Sequence, residues 1–127
     1  MKRDSKENYE LWARQKIANI EGGKLLKQLR NNDSNLTLKD VGAILGISLQ
    51  YISELERGIK TPSDILIREL SECYHTNDYA LSKTYNRVPL SASEFLEENI
   101  ELQVLLSKLS VMTDRENIIK EFVSIVG

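Results

Sequence analysis

Cys73 and His75, the single cysteine and the single histidine, lie two residues apart. A Cys/His pair can supply a nucleophile with its base, or part of a metal site. Two ligands are too few for a structural zinc site, so no metal is expected. No Ser/His/Asp arrangement, no pair of carboxylates set for acid–base work and no glycine-rich phosphate loop stands beside them. The sequence therefore predicts no enzyme and no cofactor, and gives Cys73 and His75 structural places. A lone cysteine cannot form an internal disulfide either, which fits a reducing cytoplasm.

What remains is recognition, and the informative stretch runs from Thr37 to Gly58. It reads as two helices of about eight or nine residues each around a tight turn at Gly46-Ile47-Ser48. So short a turn forces the helices to cross steeply. The crossing buries Val41, Leu45, Ile47, Ile52 and Leu55, with Gly42 at the closest approach. Leu49, Gln50, Glu54 and Arg57 are left outward on the second helix, flanked by Tyr51 and Ser53.

The surrounding elements are expected to be all helical. Lys6–Ile20 places Tyr9, Trp12, Ala13, Ile17 and Ile20 three or four apart, an amphipathic helix that Gly22-Gly23 is expected to interrupt. Lys24–Arg30 follows with Leu25, Leu26 and Leu29, then a polar loop from Asn31 to Asn35. Thr37 and Ser48 are candidate N-caps, and Gly46 a left-handed stop. Pro62-Ser63-Asp64 opens a helix with Ile67, Leu70 and Tyr74, and Asn77 caps a short one through Leu81. Residues 83–90 read as a linker. Beyond them, Ser91-Ala92-Ser93-Glu94 and Thr113-Asp114-Arg115-Glu116 have the spacing of capping boxes. They predict a helical hairpin over 91–127, after an N-terminal helix over 1–21 and a compact domain over 22–82.

Composition narrows the class. With 127 residues, 41% apolar and 28% charged, the chain fits a soluble globular protein of one domain plus an accessory segment. No apolar run approaches the roughly 18 residues that span a bilayer. The charged N-terminus is followed by no apolar stretch, so no signal peptide is expected. Net charge is −2, split as +1 over 1–21, −1 over 22–82 and −2 over 83–127. That balance argues against strong non-specific binding to nucleic acid, unless the cations gather on one face.

Three runs decide the matter: Gly23 to Arg30, Leu36 to Ser48, and Tyr51 to Ser63. Leu36-Thr37, Leu45-Gly46-Ile47-Ser48, Ile52-Ser53-Glu54-Leu55-Glu56-Arg57-Gly58 and Pro62-Ser63 resemble, in order, the lambda-repressor-like, Cro-type (XRE family) helix-turn-helix. The likeness extends over close to half the chain. It implies a five-helix DNA-binding domain whose second motif helix enters the major groove. By position, it implies base readout by Leu49, Gln50 and Glu54: a thymine methyl for Leu49, adenine for Gln50, cytosine N4 for Glu54. It implies phosphate contacts for Thr37, Lys39, Tyr51, Ser53, Arg57, Lys60 and Thr61, with the amides starting the helix after Thr37 turned to a phosphate. Arg30 and Glu56 resemble a structural pair tying the first helix to the end of the recognition helix.

The chain departs from the family at several places. Leu38 stands where a phosphate-binding Gln is common, Leu49 where a polar residue is common, and His75 where Gly usually follows the fourth helix. Tyr51 fits either a phosphate contact or packing, and Glu54 either a base or an intrahelical partner. Residues 91–126 are too apolar for a solvated tail, and they loosely resemble helical tails of some bacterial XRE regulators. Phe95, Leu96, Ile100, Leu105, Ile119 and Phe122 are thus expected at a homodimer interface; the alternative is packing on the N-terminal helix through Trp12. Two functions follow. One is a cytoplasmic, dimeric repressor on pseudo-palindromic double-stranded DNA. The other is a protein-interaction module, such as an antitoxin or regulatory subunit.

Overall fold

The computed structural model describes residues 5–127; the first four residues of the expected N-terminal segment lie outside it. The described chain is all helical, in two compact units that divide after Ser91. The first unit holds α1 (Ser5–Gln28), α2 (Leu38–Leu45), α3 (Leu49–Glu56), α4 (Asp64–Cys73) and α5 (Asp78–Thr84). Its core is Leu26, Leu29, Val41, Ile52, Leu55, Ile67, Leu70, Tyr74, Leu81 and Tyr85. Leu45 and Ile47, expected inside, pack on this core half-buried.

Capping sets the elements between the glycines. Ser48 Oγ accepts from Tyr51 N at 3.0 Å, Ser63 Oγ from Leu66 N at 3.1 Å, and Asn77 Oδ1 from Ala80 N at 3.2 Å. Each satisfies one of the amides that a helix start leaves without a partner. Gly46 ends α2 at φ 69°, and His75 takes φ 53° after α4, the left-handed stops expected there.

Gly22-Gly23 do not interrupt the first helix. α1 runs unbroken through both, and the expected separate helices are one rod. The glycines are needed for contact, not for a turn. A Cβ on Gly22 would overlap the Tyr85 ring, and one on Gly23 would overlap the backbone of Leu55 and Glu56 at the end of α3. Two helical glycines cost about 1 kcal/mol each against alanine, and close packing of three elements offsets that. The polar segment after α1 is likewise not an open loop, for Leu29–Asp33 makes a wide π-helical turn with Leu29 and Arg30 buried.

The amphipathic reading of α1 also needs correction. Its buried positions in the first five turns are Ala18, Asn19, Gly22 and Gly23, whereas Tyr9, Trp12, Ile17 and Ile20 are exposed. The apolar stripe faces away from the domain. Nor do residues 83–90 form a free linker. α5 continues to Thr84, Tyr85 is buried, and Arg87 Nη1 donates to Pro62 O at 2.6 Å and to Asp64 Oδ1 at 3.1 Å. Pro62 is itself fully buried, so this segment is clamped to the start of α4.

From Leu90 onward three helices replace the expected two: α6 (Leu90–Glu97), α7 (Ile100–Ser110) and α8 (Arg115–Val126). Asn99 at ψ 95° separates the first two, and Gln103 Nε2 donates back to Leu96 O at 2.9 Å and Glu97 O at 3.2 Å. Neither expected capping box starts its helix. Ser91 lies inside α6 and gives its hydroxyl and amide to Asp78 at 2.8 and 3.1 Å, and α8 begins after Asp114 without a side-chain cap. No residue of α6, α7 or α8 is buried.

Gly23→Ala is expected to destabilise the domain by about 1–3 kcal/mol, because the atoms it meets are backbone and cannot swing aside. Thermal unfolding checks this against Gln28→Ala on the exposed side of the same helix. A Gly23→Ala protein as stable as that control would mean the α1–α3 approach is slack.

Candidate nucleic-acid interface

The motif is built around one buried ion pair. Arg30, in the π turn, donates through Nε to Glu56 Oε2 at 2.6 Å and through Nη2 to Glu56 Oε1 at 2.9 Å. Its Nη1 holds Asn31 Oδ1 at 2.9 Å and Leu36 O at 3.0 Å. The Glu56 carboxylate raises the guanidinium pKa further above its ordinary value, against the opposing effect of burial. With both side chains nearly buried, the pair fixes the last turn of α3 relative to the segment leading into α2. It has the structural role expected of it.

On that frame α3 presents Leu49 and Gln50 from its first turn, both exposed, and Glu54 and Ser53 half-exposed behind them. Gln50 Nε2 donates to Glu54 Oε1 at 3.3 Å, so Glu54 is here an intrahelical partner. Tyr51 is half-buried and packs on the core. Arg57 caps the C-terminal end of α3, and Lys60 lies beyond Gly58 (φ 75°), both exposed. Lys39, Arg57 and Lys60 form no salt bridge among the described residues, although the Lys39 charge helps to hold the Asp40 carboxyl low. Thr37, Lys39 and Leu49 line one groove of about 460 Å³ together with Asn31 and Asn35. Those two asparagines were not singled out from sequence. In a run of loop-forming residues nothing distinguishes a groove-lining amide from a merely polar one.

Two expected phosphate positions are already engaged within the chain. Thr37 N donates to Asp40 Oδ2 at 2.9 Å and Asp40 N donates to Thr37 Oγ1 at 3.0 Å, a reciprocal capping box. These bonds hold the Asp40 carboxyl below its usual range, so a negative charge stands where α2 turns its amides outward. The Thr37 hydroxyl accepts from Asp40 N and also hydrogen-bonds the Asp40 carboxylate, so it is engaged within the chain. Thr61 Oγ1 donates to Asn19 Oδ1 at 2.9 Å, and Gln15 Nε2 donates to the same oxygen at 2.9 Å. Asn19, buried on α1, was not anticipated. A polar residue between two hydrophobic ones carries no sign of which distant loop it will hold.

Away from this face, Cys73 and His75 line a separate groove with Ile44, Leu45, Glu69 and Glu72. Burial raises the Cys73 thiol pKa, which lowers its reactivity. Among the described residues no cluster of His, Cys, Asp and Glu could hold a metal ion, and no helix is long and apolar enough to cross a membrane.

Arg30→Met is expected to destabilise the domain by about 3–5 kcal/mol, since it strands the Glu56 charge in a buried place. Combining it with Glu56→Leu removes both charges and is expected to recover most of the loss. Denaturant unfolding of both singles and the double measures the coupling; additive losses would show that the pair does not act as a unit.

Residues 26–77 match the family model described as helix-turn-helix. No curated protein and no solved structure matches the chain. The match begins at the core residue Leu26 and ends at the α5 cap Asn77, and it contains the ion pair, both motif helices and the exposed row of α3. The chain thus carries a helix-turn-helix domain over residues 26–77, and that match supports a DNA-binding regulator of the lambda-repressor-like, Cro-type kind.

Proposed function

We propose that the protein is a dimeric, cytoplasmic repressor that reads a pseudo-palindromic operator through the major groove, acting by binding and not by catalysis. The observation that carries this reading is the exposed row of α3, with three cations around it that form no salt bridge among the described residues. Leu49 meets a thymine methyl and Gln50 pairs with adenine; Glu54 faces a base only if its bond to Gln50 is shared or broken. Lys39, Arg57 and Lys60 hold phosphates on either side, with Thr37, Tyr51, Ser53 and Thr61 nearer the backbone than the bases. Asp40 works against this at α2, so the site gains less from phosphates than its cations alone suggest.

Dimerisation is assigned to residues 91–127. Phe95, Ile100, Leu105, Ile119 and Phe122 are each at least two-fifths exposed, and Leu96 is half-exposed. Apolar surface left open to this extent marks a place where another chain sits. A partner protein of different sequence would use the same surface, which is the observation favouring an interaction module. Two half-sites joined by a dimer add their binding free energies, which compensates for the sparse charge of one unit.

Selection of bound duplexes from random sequence defines the operator. On it, Gln50→Ala is expected to cost about 1–3 kcal/mol and relax preference at one base pair. Lys60→Ala is expected to weaken all duplexes alike and flatten the salt slope by about one unit. An equal loss on cognate and random DNA for Gln50→Ala would place that residue among the phosphate contacts, and no selected sequence at all would favour the interaction module.

Truncation after Leu90 is expected to leave a folded domain of smaller assembly, because every buried side chain precedes that point. The truncated domain keeps weak half-site binding and loses the gain on paired half-sites that the tail provides. Sedimentation with titration on one and two half-sites reads both. A truncated chain whose state of assembly equals that of the full chain rules out assembly through the tail.

A further inference from the structure

The stripe on α1 that faces away from the domain has a composition of its own. At about 3.6 residues per turn, Tyr9, Ala13, Ile17 and Ile20 fall within a narrow arc of the helix. Ala18, Gly22 and Leu26, the buried line, fall diametrically opposite. α1 is therefore apolar on two faces, and its outer face is exposed: Tyr9 at 67%, Ile17 at 63% and Ile20 at 46%. Trp12 borders the stripe at 57% exposed, its ring 5.9 Å from that of Tyr9 and 5.8 Å below the Lys16 ammonium. On the other side the stripe drops into a groove of about 540 Å³ that Thr84 and Asn86 close. A helix built only to cap the first unit needs one apolar face, not two.

We propose that this outer face is a self-association surface, on which α1 pairs antiparallel with α1 of a second copy of this chain. The charges on its border identify the occupant. Glu10 and Arg14 stand one turn apart on the same flank of the stripe, and both line the groove. In an antiparallel pair with a two-fold axis across the helices, each flank meets its own counterpart. An axis near Trp12 then sets Glu10 against Arg14 of the second copy, and Arg14 against its Glu10. A single flank thus carries both halves of two reciprocal ion pairs. Ala13, beside the axis, allows the helices to approach closely, with Tyr9 and Ile17 covering each other's ends. This surface does not depend on the assignment of DNA contacts. It also adds to assembly through residues 91–127, since two interfaces on one chain enlarge the assembly beyond what either gives alone.

The test uses the full chain. Ile17→Glu, at an exposed position outside the core, is expected to leave the helix content and thermal midpoint intact and to halve the sedimenting mass. Glu10→Arg is expected to dissociate the pair in the same way, by opposing like charges at both flank contacts. Adding Arg14→Glu to it restores the mass, because the swapped flank is again its own complement. Trp12, the single tryptophan, gives an independent readout. Its emission in the unaltered protein shifts to the red on dilution, whereas in Ile17→Glu it is already red at high concentration. The proposal is overturned by an unchanged mass in Ile17→Glu, by a doubly swapped chain that stays dissociated, or by emission that is independent of concentration.

Discussion

The backbone of α3 lies directly on a helix, and a single Cβ at Gly23 would stop it doing so. That approach decides where the end of α3 sits, and several other features follow from it. The Tyr85 ring fills the space above Gly22, which draws the segment after α5 onto the domain. Arg30 comes within reach of Glu56 because α1 and α3 are already close, and their bidentate pair then fixes the last turn of α3. Asn19 reaches Thr61 across the same junction, and Gly58 rests on Ile20. The packing comes from small residues and the polar bonds define the register. Neither would hold alone, because a buried ion pair with poor geometry destabilises, and two bare glycines on a helix bury little apolar surface.

This arrangement leaves the outward row of α3 free of structural duty at its first turn. Leu49 and Gln50 contribute nothing to the core, so their identity is open to whatever they touch. Toward the end of the helix the balance changes, since Leu55 and Glu56 are committed inward and Arg57 is a C-cap. The outward first turn of α3 and its core-committed end are therefore separated along the helix by about one turn.

Much of the motif was legible in the sequence because its signals are local. Thr37, Gly46, Ser48, Ser63 and Asn77 each act on a neighbour within four residues, and each does what its type predicts. The family resemblance added long-range information of one kind, the Arg30–Glu56 pair. The errors have a common cause. Gly22-Gly23, residues 83–90 and the stripe on α1 are read locally as a break, a linker and a buried face, yet all three are decided by contacts far along the chain. A glycine that ends a helix and one that admits a neighbouring backbone look the same in sequence. Similarly, Ser91 was spaced for a capping box, but Asp78, thirteen residues earlier, engages it instead.

α1 also has a consequence of its length. From Ser5 to Ile17 it runs about 20 Å without a buried residue, and no proline interrupts it before the glycine pair. The helix is unbroken from Trp12 to Gly23, where it rests against the carbonyls of Leu55 and Glu56. The long arm lies on the outside and the short arm under the end of α3. The exposed half of α1 is in this sense an arm seated on a pair of missing side chains, and filling either would unseat it.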